Sequence, residues 1–433
     1  MFICENISRS DSGRLLFAGQ DASALAGRWG TPLYLMDGGR IRQNCKVITD
    51  AVKSSFGQKG GVLYAGKAAC FVKMLQITSS EGLGLDVVSS GEIMTALRAG
   101  CEMEKTFFHG NCKTDGDISF AMEHGVGYFV VDGEDELFAL EEAASSRGIV
   151  QKILLRITPG IDPHTFEEVA TGVIDSKFGS AVATGSAMDI TEKALACPHL
   201  SLEGFHCHSG SQIFLKSVFE DTAKIMLGFM LEVRERTGYT ASVLDLGGGF
   251  GVRYTTEDPV IDIPSFIGSV AVIVRGFCER EGYPLPFVYF EPGRAIAADA
   301  GMTLYTVGAV KHIPGYRTYA AVDGGMGDNP RYALYKSSYT VLPAADDGAP
   351  PMKCDLVGRC CESGDIIQRD IALPSSLKRG DIVAVCTTGA YNYSMASNYN
   401  RLGRPAVVML EGEESYLAVT RESYEDMLSS DLG

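Results

Sequence analysis

The chain has 433 residues, and at roughly 150 residues per domain that length predicts two or three domains. Hydrophobic side chains make up 45% and charged ones 21%, an ordinary globular composition that excludes a fibrous or disordered protein. With 38 basic against 54 acidic side chains the net charge is −16, which repels phosphate backbones and anionic lipid surfaces.

Neither nucleic acid nor a membrane is therefore expected as a partner. No apolar run reaches the roughly 18 residues of a membrane span. Residues 1–20 carry Glu5, Arg9, Asp11 and Arg14 and lack the apolar core of a signal peptide, so a cytoplasmic location is the default expectation. Twelve cysteines are present without a Cys-x-x-Cys pair, which argues against zinc ribbons and thioredoxin-type sites. Most of these thiols are expected as small core residues.

Residues 33–36, next to Thr31-Pro32, read as a strand. From residue 61 a unit recurs in which a short β-rich run ends in polar or glycine residues and a helical stretch follows. The runs are 61–65, 83–88, 105–109, 127–132, 152–157, 201–208, 243–246 and 287–290. The first four recur about every 22 residues, a length that suits a compact βα unit. Helical segments are expected at 91–99, 115–123 and 135–146. The last has Leu137, Leu140 and Ala144 on one face.

Eight such units predict an α/β fold, a (β/α)8 TIM barrel, with an open doubly wound sheet as the alternative. The barrel is favoured because Lys67, Asp86, His109, Asp132, His208, Gly247 to Gly249 and Glu291 all fall at or just past strand C-ends. In a barrel those ends converge on one mouth. Beyond about residue 300 the runs 303–311, 318–322, 381–386 and 415–420 alternate with period two. They predict a second, β-rich domain, which the first 35 residues are expected to join. The boundaries read as 36–292 for the barrel and 1–35 plus 293–433 for the β-rich domain.

Lys67 stands two residues past a buried run. A lysine in a barrel mouth is a usable Schiff-base amine, whereas on a surface it is a solvated charge. Gly247-Gly248-Gly249-Phe250-Gly251 fits either a close anion approach or a tight βα turn. In Glu291-Pro292-Gly293-Arg294, the carboxylate and guanidinium form either a surface pair or the contacts for a ring nitrogen and an anion. His206 and His208, two apart on one run, suit stacking on a flat cofactor or plain burial. A metal would need further ligands, which are not evident nearby, and none is expected. Cys360-Cys361-Glu362-Ser363-Gly364-Asp365 reads as a strand and turn, or as a thiol proton donor beside a carboxylate. Arg331 and Tyr335, four apart, suit a substrate carboxylate or an ordinary surface. Asp86 and Glu291 as a glycosidase pair are disfavoured because tryptophan occurs once.

As a set, these motifs are similar to those of the fold-type III pyridoxal-phosphate decarboxylases. The resemblance runs from about residue 31 to 392. It rests on Tyr64-Ala65-Gly66-Lys67-Ala68, Asp86-Val87-Val88-Ser89-Ser90-Gly91-Glu92, Ser176-Lys177-Phe178-Gly179, His208-Ser209-Gly210-Ser211-Gln212, the glycine run, Glu291-Pro292-Gly293-Arg294 and Cys361-Glu362-Ser363-Gly364-Asp365.

The resemblance implies a barrel and a β-rich domain, sandwich- or barrel-like, built from both chain ends, with pyridoxal 5'-phosphate as cofactor. By that resemblance Lys67 bonds the cofactor, Asp86 lies beside it, His208 stacks on the ring and Glu291 meets the ring nitrogen. Ser211, Gly248, Gly249, Pro292, Gly293, Arg294 and Tyr391 surround the phosphate. Arg294, Arg331, Tyr335, Glu362 and Tyr391 hold substrate, and Cys361 is the acid. Cys361 and Glu362 are implied to come from the second subunit of a homodimer. The implied reaction is decarboxylation of meso-2,6-diaminopimelate to L-lysine. The alternatives are a related diamino acid or polyamine precursor, and a catalytically inactive regulatory homologue. The chain departs from the family pattern at Gly66, Ala69, Ser209, Tyr332 and Arg359.

Overall fold

A computed structural model describes residues 2–161 and 175–432 of the chain. Two compact units divide it. One comprises Asn44–Gly251 and Ile261–Ala295, the other Met1–Gln43, Val252–Val260 and Ile296–Gly433.

The first unit is a closed barrel of eight parallel strands: β1 (Gly60–Ala65), β2 (Gly84–Val87), β3 (Thr106–Phe108), β4 (Tyr128–Val131), β5 (Gln151–Thr158), β6 (Leu200–His206), β7 (Val243–Asp245) and β8 (Phe287–Phe290). Pairing of β8 with β1 and of β4 with β5 completes the ring. These strands are short, apolar and rich in Val, Leu and Phe, as strands buried on both faces must be. Leu63, Phe107, Val130, Leu154 and Val243, from five of them, form one buried cluster. Phe107 stacks on Tyr128 with ring centroids 4.3 Å apart. The barrel is thus filled below and has no pore.

Local signals delimit the outer helices. Ser89 caps Ser90–Ala99 by accepting from Glu92 N, and Gly100 ends that helix at φ +77°. Thr114 and Asp117 form a reciprocal capping box at the start of Asp115–Glu123. Gly204 lets β6 and β7 approach: an added Cβ would lie 1.9 Å from Val243 O. Register pairs Ala65 with Asp86, Asp86 with Phe107 and His206 with Asp245. The polar C-ends of these strands therefore share one rim.

In the β-rich unit, strands pair in the order Ile366–Pro374, Pro351–Val357, Arg317–Val322, Gly301–Ile313, Leu33–Asp37, Ala406–Glu411, Glu414–Val419. Leu33–Asp37 lies between Gly301–Ile313 and Ala406–Glu411. Both chain ends therefore build the sheet. Val252–Val260 groups with this unit although it was expected within the barrel: Tyr254 packs edge-on to Tyr339 at 5.3 Å, and Thr340 N donates to Tyr254 O.

Candidate active site

Lys67 lies in a single 3-10 turn, Gly66–Ala68, directly after β1. Its Nζ donates to Asp86 Oδ2 at 2.9 Å. The Asp86 side chain is fully buried, whereas that of Lys67 keeps 40% of its surface exposed. The amine is held from below and reachable from above.

Glu291 directly follows β8 and is buried. His206 Nε2 lies 3.2 Å from its Oε2, and His109 Nε2 lies 2.8 Å from its Oε1. The second approach lacks the alignment of a straight hydrogen bond, so Glu291 Oε1 keeps capacity for a further partner, as does Asp86 Oδ1. Burial works to raise the Glu291 pKa, but His109 and His206 outweigh it and hold the carboxyl well below the usual range. Neighbouring Asp245 goes the other way. Burial, then the Glu291 charge, push it well above the ordinary value. Of two adjacent buried acids, one is kept ionised and the other neutral. Burial lowers His206 to about 4.

The strand read over 201–208 ends at His206, so His208 does not share its strand face. The reason lies in the glycine run. Gly247 turns at φ +64°, and Gly248 N then reaches His208 Nδ1 at 3.3 Å, drawing the residue into the loop. The His208 ring stays partly open to solvent. Burial, then the positive charge of Lys67 and Arg156, hold its pKa well below normal.

The glycine run is required by close packing. A Cβ on Gly248 would sit 2.1 Å from Glu291 O, and one on Gly249, at φ +103°, 2.2 Å from Gly210 O. Beside it, Arg294 Nη2 donates to Ser211 Oγ at 2.9 Å, and Arg294 is buried. A Cβ on Gly293 would meet Ala65 Cβ at 2.9 Å.

The β-rich unit carries its own cluster. Arg331, expected as either a ligand or a surface residue, is buried at the start of the helix Arg331–Tyr335. Its guanidinium carbon lies 5.8, 5.5 and 5.6 Å from the rings of Tyr254, Tyr335 and Tyr391. These rings fix the cation and leave its charge undiminished. Cys361 and Glu362 lie on an exposed turn between the strands Pro351–Val357 and Ile366–Pro374, with no strand at the cysteines themselves. Cys361 N donates to Asn400 Oδ1 at 2.8 Å. Burial and Asp365 push the Cys360 thiol up to about 11, which disfavours its thiolate.

In the sequence His109 falls at the mouth without a role, and Arg156 stands out by no motif. Arg156 Nε lies 3.9 Å from Asp132 Oδ1, and its guanidinium carbon lies 4.3 Å from the centre of the Phe178 ring. The sequence alone gives no further metal ligand near His206. The structure does bring one nitrogen each of His109 and His206 and a Glu291 oxygen within 4.8 Å of one another. The available Glu291 oxygen beside them equally suits an N–H donor.

A pyridine ring with a phosphate tail fits these groups. Lys67 would meet its carbonyl, Glu291 Oε1 would accept from a protonated ring nitrogen, and Arg294 with Ser211 would supply charge and a hydroxyl for phosphate.

Residues 39–298 match the family model for the pyridoxal binding domain of pyridoxal-dependent decarboxylases. The chain is 44% identical to the diaminopimelate decarboxylase of Bacillus subtilis (strain 168), over 100% of this chain and 98% of that one. It is 39% identical to that of Staphylococcus aureus (strain COL), over 98% and 99%. The crystal structure of diaminopimelate decarboxylase from M. jannaschii in complex with L-lysine superposes with a TM-score of 0.93 at 31% identity, covering 100% of this chain and 99% of that one. A lysine/ornithine decarboxylase from Vibrio vulnificus in complex with putrescine gives 0.75 at 25% identity, covering 90% and 97%.

Proposed function

The chain belongs to the diaminopimelate decarboxylase family of pyridoxal-dependent decarboxylases, and on that premise we propose that it converts meso-2,6-diaminopimelate to L-lysine and carbon dioxide. Pyridoxal 5'-phosphate, when bound, supplies an electron sink for the pair left behind by the departing carboxylate. The rest is the work of the chain's own residues.

Lys67 provides the amine that tethers the cofactor, and Asp86 at 2.9 Å orients that nitrogen and stabilises its charge. Glu291, ionised between two imidazoles, holds a proton on the ring nitrogen. A neutral side chain there would leave the ring a poorer sink. His208, partly open, covers one face of the ring. Arg294 and Ser211, with the Gly248, Gly249 and Pro292-Gly293 backbone, take the phosphate. Cys361 Sγ delivers the proton that replaces carbon dioxide on the substrate carbon, and Glu362 meets the substrate amine. Exposure of Cys361 and Glu362 on a turn supports their serving a second subunit, hence a homodimer. No helix among the described residues is long and apolar enough to cross a membrane, in line with a cytoplasmic enzyme.

The observation that carries the substrate assignment is Arg331. A buried guanidinium ringed by Tyr254, Tyr335 and Tyr391 costs desolvation that a diamine enzyme has no use for, whereas a second substrate carboxylate makes a charge-assisted contact with it. The test is purified protein with pyridoxal phosphate and a panel of amino acids scored for carbon dioxide, with borohydride trapping and peptide mapping run on a separate sample of the same protein. Trapping at Lys67 and release from diaminopimelate are expected. Release from ornithine or lysine with none from diaminopimelate would reject the assignment.

A further inference from the structure

We propose that His109 is a positioning residue that holds Glu291 in the orientation its partner requires and joins it to the Lys67–Asp86 pair. The inference rests on the reading that Glu291 meets the ring nitrogen.

Four contacts carry it. His109 Nε2 stands 2.8 Å from Glu291 Oε1 and 3.8 Å from Asp86 Oδ1, so one imidazole edge faces both carboxylates. Asp86 Oδ2 is the acceptor for Lys67 Nζ, and Glu291 Oε2 is the acceptor for His206 Nε2. His109 thus closes an unbroken line of polar groups from the reactive amine, through both carboxylates, to His206. The His109 and His206 rings meet nearly edge-on, with centroids 4.7 Å apart at 73°. Each therefore limits the rotation of the other.

His109 is itself immobile. It is 3% exposed, and its backbone N donates to Val87 O at 2.8 Å where β3 ends. A carboxylate with one oxygen taken by His206 retains a free torsion about its terminal bond. His109 on the other oxygen removes that freedom, and it leaves Oε1 the alignment to accept from an N–H approaching over the mouth. It also opposes charge transfer to Asp245: without an imidazole on Oε1, Glu291 and Asp245 compete more evenly for one proton. A Glu291 that has taken that proton cannot keep the ring nitrogen protonated.

The test compares His109→Leu, which removes the polar edge at similar bulk, with His109→Gln, which restores a donor. The readouts are the 15N chemical shift of bound 15N-labelled pyridoxal phosphate, kcat and KM with diaminopimelate, borohydride trapping, and Tm. In the wild type the shift is expected to be that of a protonated pyridine. In His109→Leu it is expected to move toward the neutral form, with kcat down about 10- to 100-fold, the range for a lost supporting contact behind a functional ligand. KM should hold within a few-fold, trapping at Lys67 should persist, and His109→Gln should recover most of the shift and rate. A wild-type shift and kcat in His109→Leu would overturn the inference. So would equal losses in both variants that follow a fall in Tm, because that is the signature of packing alone. Failure of the wild type to trap at Lys67 would overturn the decarboxylase reading and this inference with it.

Discussion

Lys113 is a buried cation with three partners, and its removal has a calculable cost. Its side chain is 1% exposed and that of its partner Glu136 8%. The ammonium donates to Gly110 O at 3.0 Å, Val130 O at 2.8 Å and Glu136 Oε1 at 2.7 Å, which uses all three of its protons. Burial lowers the Lys113 pKa and raises that of Glu136, so for each group desolvation exceeds the attraction between them. Lys113→Met then leaves a buried carboxylate without its counter-ion, a loss of about 3–5 kcal/mol. At about 2–4 °C per kcal/mol for a unit of this size, Tm should fall by roughly 6–20 °C. In the double variant Lys113→Met/Glu136→Gln the charge is gone, while the amide oxygen can still accept from Asp132 N, the 3.1 Å partner of Glu136 Oε2. It should recover roughly half of the loss. The sign with pH is also set. In Lys113→Met the folded-state pKa of Glu136 lies above its unfolded value, so stability is gained as pH falls through it. The deficit should be larger at pH 8 than at pH 5, and the double variant should lose that dependence. Urea unfolding across pH and calorimetry measure all of this. A single variant within 1 kcal/mol of wild type, or a double variant less stable than the single, would refute the reasoning.

Burial pushes Glu92 up to about 7 from an ordinary 4.5. Its folded form therefore binds the proton more tightly, and this part of the stability is lost as pH rises from 4.5 to 7. Glu92→Gln should gain stability relative to wild type as pH increases over that window in urea titrations of the cofactor-free protein, and a constant difference would contradict this. Arg331→Ala should raise KM for diaminopimelate about 10- to 150-fold, the equivalent of about 1.5–3 kcal/mol for a contact to a charged group. Arg331→Lys should not restore it, because a point charge lacks the planar fork. Gly248→Ala places a Cβ 2.1 Å from Glu291 O. It should destabilise the barrel by about 1–3 kcal/mol and weaken pyridoxal phosphate binding at least about tenfold in fluorescence titration.

Much of this protein is legible in its sequence because the barrel repeats a local rule. Each strand is a short apolar run ending in a polar or glycine residue, and the run 287–290 coincides with β8 while 115–123 coincides with the helix Asp115–Glu123. The β-rich unit is less legible. Ala406–Glu411, buried on both faces as a central strand, lacks the period-two pattern that betrays an edge or half-exposed strand. The turn at Cys360-Cys361 lies between two strands, Pro351–Val357 and Ile366–Pro374, that escape the same pattern.

The sequence alone determines the inventory of reacting groups: the amine of Lys67, the carboxylate of Glu291, the cation of Arg331 and the glycines at the ends of strands. Those follow from residue type and from position along the chain. Tertiary structure alone decides which groups share an environment. His109, Asp86, His206 and Glu291 come from four different strand ends, so nothing local relates them. The protonation of Glu291 and His206 depends on contacts of about 3 Å in a buried, poorly screened rim, where one neighbour decides which acid stays ionised.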